Sequence, residues 1–238
     1  MNTEAVIFDK DGTLMDFDSF WVPVSERAIE SALLRFGGDV SLVPEIMEAL
    51  GVRDGVTDTD GVLCKGTYEQ IGDIVYNTLQ KSGVEASREA VLPAVVTAYN
   101  ESVGAGEAKP TCDNLKEVLL ELRGMGARLA VVTTDNAQIT HSCLEALGIA
   151  ELFDEIYTDD GVRPTKPDPF CALDFCRKYN IKKECAVMVG DTLTDALFAK
   201  NAGISMIGIA KSERNGALLG GVADAVVSDP SRLIEILK

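Results

Sequence analysis

Five aspartates, a lysine and three threonines stand where short apolar runs of this sequence end. Asp9 and Asp11 follow the run Glu4–Phe8 and precede Gly12 and Thr13. Thr133, Thr134 and Asp135 close the run that begins at Ala127; Lys166 lies in "RPTKPDP"; Asp191 and Asp195 lie in "GDTLTD", directly after Cys185–Val189. Carboxylates this crowded repel one another and take up protons unless positive charge compensates. A hard divalent cation resolves the conflict, since Mg2+ favours one or two carboxylates, waters and a phosphate oxygen. Lys166 would add a second positive charge. The residue set suits a cation and a phosphate group.

The runs that carry these residues are "EAVIF", "ARLAVVTT", "CAVMVG" and "SMIGIA", with a weaker "EIYT" at Glu155–Thr158. Short, β-branched and nearly continuous in apolar character, they fit strands buried on both faces of a parallel sheet. Helical signals lie between them. Asp113 can cap a helix bearing Leu115, Val118, Leu119 and Leu122 on one face, and Asp168–Pro169 and Asp229–Pro230 open two more. From residue 108 onward the alternation reads as a doubly wound α/β domain, whose ligands gather at the carboxyl ends of its strands. Each strand end of that half except "SMIGIA" delivers a polar group.

Residues 18 to 103 break the alternation and read as about four helices. Thr67 and Gln70 have capping-box spacing before Ile71, Ile74 and Val75. A Gly- and Asp-rich loop, "GVRDGVTDTDGVLCKGT", joins helices, and "VGAGEAKP" reads as a hinge. The expectation is an α/β fold: a Rossmann-like doubly wound parallel sheet formed by residues 1–17 and 104–238, with an all-helical cap domain at 18–103 inserted after the first strand.

The 238 residues are 46% hydrophobic and 25% charged, ordinary for a globular chain. A net charge of −16 opposes binding to nucleic acid and to anionic membranes. No apolar run spans a bilayer, and the first strand begins too early for a signal peptide, so a cytoplasmic location is expected. The six cysteines form no CxxC pair, and His141 alone gives them no zinc pattern. They read as reduced core residues.

"DKDGT", the hydroxyl at Thr133, the lysine in "TKPDP", and "GDTLTD" followed by "ALFAKNAG" together resemble, in order and spacing, the four motifs of the haloacid dehalogenase-like hydrolase superfamily. The inserted helices resemble the cap of its phosphoglycolate phosphatase-like branch. The resemblance implies that Asp9 is the nucleophile that forms an aspartyl-phosphate and that Asp11 protonates the leaving alkoxide, then deprotonates water. Thr133, with Thr134 beside it, would hold phosphoryl oxygens, and Lys166 would neutralise their charge. Mg2+ would sit between the Asp9 carboxylate, the Asp11 backbone carbonyl and Asp191. Asp195 would orient Lys166 or a metal-bound water, and Thr13 would support the turn that aims Asp11. The implied partner is a small phosphorylated metabolite, handled by a monomer or homodimer.

A carboxylate at position 11 favours phosphate-ester hydrolysis over dehalogenation. A sugar-phosphate mutase of the same architecture is the main alternative. A phospho-aspartate signalling receiver fits poorly, being shorter and lacking an inserted module. Lys65 is the best cap-borne substrate contact, with a solvated lysine the competing reading; Arg163 reads as a loop charge. Phe17, Phe20 and Trp21 are expected to pack at the cap–core boundary, and His141 to be structural. Lys10, where many relatives carry an apolar residue, is expected to face away from the site.

Overall fold

In the computed structural model, which describes residues 3–238, the chain begins with β1 (Ala5–Phe8). Next come α1 (Phe17–Arg35), α2 (Val43–Ala49), β2 (Val52–Arg53), β3 (Val56–Thr57), α3 (Val62–Lys65), α4 (Tyr68–Lys81) and α5 (Arg88–Ser102). The chain then runs through α6 (Leu115–Gly124), β4 (Arg128–Asn136), α7 (Ala137–Ala146), β5 (Glu155–Asp159), α8 (Phe170–Lys178) and β6 (Ala186–Gly190). It ends with α9 (Leu193–Ala202), β7 (Ser205–Ile209), α10 (Glu213–Gly220), β8 (Ala225–Val227) and α11 (Leu233–Leu237). Two compact units emerge: residues up to Asp16 together with Ala108–Lys238, and Phe17–Glu107.

The first unit is built on a six-stranded sheet in the order β5-β4-β1-β6-β7-β8, every pair parallel. Its apolar runs alternate sides at the two-residue period of a strand. Val6 and Phe8 of β1 join Leu129 and Val131 of β4 and Val187 and Val189 of β6 against Leu115, Val118 and Leu119 of α6. Ala5 and Ile7 turn the other way, with Ala130, Val132 and Met188, onto Phe175 of α8 and Phe198 of α9. All four β1 residues are buried. Each large side chain so buried contributes roughly 1.5–3 kcal/mol, so the central strand is held from both faces.

Two features of this sheet were not read from the sequence. β8 is a three-residue edge strand paired with β7, too short to show a periodicity. The pairing of β4 with β5 shifts register between Val132 and Asn136. That irregularity falls on Thr133–Asp135, where a bulge re-aims side chains. The helix openings also differ in detail. Asn114, not Asp113, occupies the N-cap of α6 and makes no side-chain cap bond there. Asp168 does accept the Phe170 amide at 2.9 Å, and Asp229 that of Ser231 at 2.9 Å, opening a short 3-10 turn ahead of α11.

In the second unit α1 and α4 both pack on α5. The capping box at the start of α4 forms, with the Gln70 amide donating to Thr67 Oγ1 and the Thr67 amide donating to Gln70 Oε1. The segment expected as a loop contains the two-stranded antiparallel ribbon β2–β3 and α3. Phe20 and Trp21 are buried within this unit, their rings edge to face at 5.1 Å. All six cysteines are free thiols, three of them buried. Among the described residues no helix is long and apolar enough to cross a membrane.

Asp154, just ahead of β5, pins that edge strand to β4. Its carboxylate accepts the Leu129 amide at 2.9 Å and the guanidinium groups of Arg123 at 3.0 Å and Arg128 at 2.7 Å. Burial pushes the Asp154 carboxyl up, but the amide and both guanidiniums outweigh it and hold it below the usual carboxylate range. A depressed folded-state pKa contributes stability that is present above the unfolded value, about 3.9, and is lost as pH falls further. Asp154→Asn is therefore expected to cost about 1–3 kcal/mol at pH 7, with the difference from wild type closing below about pH 4. Urea unfolding of both proteins at pH 7 and pH 3 checks this; an equal gap at the two pH values would refute it.

Candidate active site

The site is built from β1 outward. As the strand between β4 and β6, β1 presents the residues that follow it to neighbours on both sides. The Asp9 amide donates to Val189 O at 2.9 Å, so the β1–β6 ladder continues one residue beyond Phe8. The chain then turns tightly, the Leu14 and Met15 amides both donating to Lys10 O at 2.9 Å. Gly12 occupies the left-handed region at φ +77°, and a Cβ there would lie 2.2 Å from Asp191 Oδ2. Glycine is required twice over, by conformation and by the close approach of Asp191.

Toward β6, Lys166 is buried with its ammonium between two carboxylates. It donates to Asp9 Oδ1 and, at 2.7 Å, to Asp195 Oδ1. Asp195 is fully buried and caps α9 reciprocally: it accepts from the amide and hydroxyl of Thr192 at 3.1 and 2.6 Å, while its own amide donates to Thr192 Oγ1. Both its oxygens are thus engaged. Gly190 makes this packing possible, because a Cβ there would lie 2.5 Å from that of Asp195. Asp191 accepts the Thr13 hydroxyl at 3.4 Å. Thr13 therefore contacts Asp191 directly, in addition to its place in the turn after Asp11.

Toward β4 the structure corrects an expectation. Lys10 does not face away: its side chain is completely buried, and its ammonium reaches both Asp11 oxygens at 2.8 and 2.7 Å and Asp135 Oδ2 at 2.9 Å. Burial alone would push that ammonium toward its neutral form, but Asp11 and Asp135 outweigh it and hold the pKa above the ordinary lysine value. Thr133 is buried, its hydroxyl accepting the Asp135 amide at 3.2 Å, whereas Thr134 is exposed.

Two lysines thus face five carboxylates, and the excess negative charge shows in their titration. Burial, opposed by Lys166 and reinforced by Asp195 and Asp11, pushes Asp9 up to about 7. Burial and the neighbouring Asp9 and Asp195 raise Asp191 well above the usual range. Asp135 is pushed up to about 6 by burial and by Asp11, against the pull of Lys10. A divalent cation fits this donor set. One carboxylate oxygen each of Asp9, Asp191 and Asp195 lies within 4.8 Å of the others. Because Lys166 and Thr192 already occupy Asp195, Asp9 and Asp191 are the carboxylates best placed to bind.

Other residues fall elsewhere. Lys65, in the second unit, forms an ion pair with Asp60. Arg163 pairs with Asp160 at 2.6 Å within its own loop. His141 is exposed on α7 rather than packed as a structural residue. Two residues escaped the reading of strand ends: Lys211, which directly follows the run Ser205–Ala210, and Asn215, which lies further on in α10. Asn215, in the first turn of α10, donates to Asp191 O at 2.9 Å, and Lys211 pairs with Asp16 at 2.6 Å. Ser212 caps α10 by accepting the Asn215 amide, a local spacing that carries no sign of a contact with Asp191.

With this geometry established, comparison with known proteins gives a consistent result. Residues 3–203 match the family model for haloacid dehalogenase-like hydrolases. The chain is 29% identical to a phosphoglycolate phosphatase of Vibrio cholerae, over 98% of this chain and 96% of that protein. The crystal structure of a predicted phosphoglycolate phosphatase from Haemophilus somnus aligns over 100% of this chain and 99% of its own, at TM-score 0.72 and 20% identity. That of a candidate beta-phosphoglucomutase from Thermotoga maritima aligns over 99% and 98%, at TM-score 0.69 and 26% identity.

Relief of repulsion should be measurable before any assay of turnover. In EDTA, Asp191→Asn is expected to melt at or above the wild-type temperature, because it removes a charge that burial and two neighbouring carboxylates disfavour. Added divalent cation at a hundredfold over its Kd should stabilise wild type by about 2.7 kcal/mol and the variant far less. Thermal unfolding reads both effects. Equal stabilisation of the two proteins would remove Asp191 from the cation site.

Proposed function

The chain belongs to the haloacid dehalogenase-like hydrolases, and on that footing we propose that it is a Mg2+-dependent phosphatase. Its substrate is a small phosphorylated metabolite, phosphoglycolate-like or a sugar phosphate, cleaved through an aspartyl-phosphate on Asp9. The observation that carries this reading is the buried Lys166 joining Asp9 to Asp195 beside Asp191. A nucleophilic carboxylate, a fixed cation and a cation-binding carboxylate in one place are what phosphoryl transfer needs, since its catalysis is largely positioning and charge stabilisation. The phosphoglycolate phosphatase of Vibrio cholerae supports the substrate class.

In the first step an Asp9 carboxylate oxygen attacks phosphorus as the ester P–O bond breaks, and Asp11 gives its proton to the departing alkoxide. In the second, Asp11 takes a proton from water, whose oxygen attacks phosphorus and releases Asp9 and inorganic phosphate. Lys166 balances phosphoryl charge throughout, while the Thr133 hydroxyl and adjacent amides hold the equatorial oxygens. Asp9, Asp191 and the Asp11 carbonyl would hold Mg2+, which when bound keeps the carboxylates ionised and polarises a phosphoryl oxygen. Asp195 holds Lys166, Thr13 steadies Asp191, and Asn215 holds the Asp191 backbone.

The likeness to the Thermotoga maritima protein favours a second reading, a sugar-phosphate mutase that passes the phosphoryl group to substrate instead of water. Phosphate release from a panel of small esters, with Mg2+ or EDTA, tests both. Wild type should release phosphate only with Mg2+, and Asp9→Asn should lose at least about a thousandfold in kcat. Release that survives that substitution would overturn the mechanism. No release from any ester, with glucose 6-phosphate formed from β-glucose 1-phosphate, would favour the mutase.

A further inference from the structure

The two lysines of the site are arranged alike. Lys166 grips the nucleophile Asp9 and is anchored to the buried Asp195; Lys10 grips Asp11 and is anchored to Asp135. Lys10 is the more deeply placed of the two pairs in one respect: its side chain has no exposure, while Asp11 and Asp135 keep 18 and 20% of theirs. An ammonium is taken fully out of water at substantial cost unless its partners return the loss. Here those partners come from adjacent strands, Asp11 from the turn after β1 and Asp135 from the irregular end of β4. Asp135 lies in the stretch between Val132 and Asn136 where the pairing of β4 with β5 shifts register, and its Oδ2 lies 2.9 Å from the Lys10 ammonium.

We propose that Lys10 is the positioning residue of the acid–base step: anchored by Asp135, it grips both oxygens of Asp11 and fixes the rotamer from which Asp11 meets the leaving oxygen and the attacking water. This rests on the phosphatase reading above. Lys10 neither gives nor takes a proton; the proton passes from Asp11 to the leaving alkoxide, and from water to Asp11. An unrestrained aspartate has two side-chain torsions to order, and a small misplacement of a proton donor is costly in rate. The chelated carboxylate has one orientation, and its residual exposure leaves it reachable. A residue that serves only Asp11 must affect the chemistry in proportion to how much the leaving group needs a proton. A residue that merely stabilises the fold has no such preference.

Rapid-mix kinetics of wild type, Lys10→Met and Asp135→Asn, with p-nitrophenyl phosphate and with an alkyl phosphate, separate these cases. p-Nitrophenolate departs unprotonated, so the burst that reports phosphorylation of Asp9 should stay within about threefold of wild type in Lys10→Met. Phosphorylation by the alkyl ester should slow by about a hundredfold, as should hydrolysis of the aspartyl-phosphate, with KM little changed. Asp135→Asn, a near-isosteric change at a partly exposed residue, should show the same selectivity at about a tenth of the size and carries the test if Lys10→Met fails to fold. Equal losses in the rate of Asp9 phosphorylation for both esters, or no loss in that rate for either in a folded variant, would overturn the proposal. A wild type inactive on both esters, or an Asp9→Asn variant as active as wild type, would instead strike the phosphatase reading itself.

Discussion

Five carboxylates brought to the ends of three neighbouring strands have to be held against their own repulsion, and the architecture of the first unit answers to that constraint. Because β1 lies between β4 and β6, the aspartates after it meet charge on both sides. Lys10 joins Asp11 to Asp135 on the β4 side, and Lys166 joins Asp9 to Asp195 on the β6 side. Each buried ammonium needs two carboxylates to keep its proton, and Asp9, Asp11, Asp135 and Asp195 are each held by an ammonium in return. Gly12 and Gly190 are the steric counterpart of this arrangement. Removing a Cβ at each lets Asp191 and Asp195 approach the neighbouring backbone more closely than any side chain would allow.

The two clamps do not neutralise the cluster, and the remainder has a use. Asp9 is held above the ordinary carboxylate range by burial, against Lys166 and with Asp195 and Asp11, and Asp191 well above it by burial and by Asp9 and Asp195. In a structural network this would be a defect; in the cation site proposed above it would be a source of affinity, because a divalent ion relieves the repulsion while leaving the carboxylates ionised. The sheet beneath tolerates the cost. Its central strand is buried on both faces against helices, so the apolar core and not the polar crown holds β1, β4 and β6 in register. Rigidity at the strand ends follows from packing several residues away.

Local charge also reconciles the net charge of −16 with a substrate that carries negative charge itself. The long-range field opposes a phosphate ester. On the function proposed above, attraction would be short-ranged, supplied by a buried lysine, backbone amides and a bound cation, where low dielectric strengthens each contact. Such a site selects for the phosphoryl group at close range and draws little from the surface around it. Asn215, which approaches from α10, donates to the Asp191 backbone carbonyl and adds a neutral partner to the polar crown.

What the sequence determined by itself is the five longer strands of the sheet, β1 and β4 to β7, and the residues at their ends. Short, continuous β-branched runs fit strands buried on both faces, and in a parallel sheet the residues that follow them converge. Asp9, Asp191, Asp195 and Lys166 were placed together on that reasoning, and the structure brings their side chains together. The capping box at Thr67 and the turn at Asp229 are likewise local and were readable, since their partners lie within three residues. Only the tertiary structure decided the rest. The alternation of a strand sends Lys10 away from Asp9 and Asp11, and nothing local shows that a flexible four-carbon stem returns its ammonium to Asp11. Asp135 meets Lys10 from a stretch of shifted register, and Asn215 meets Asp191 from a helix of another segment. These contacts join residues far apart in sequence, where no periodicity or spacing rule reaches, because they depend on how long side chains fill the space that the packed elements leave.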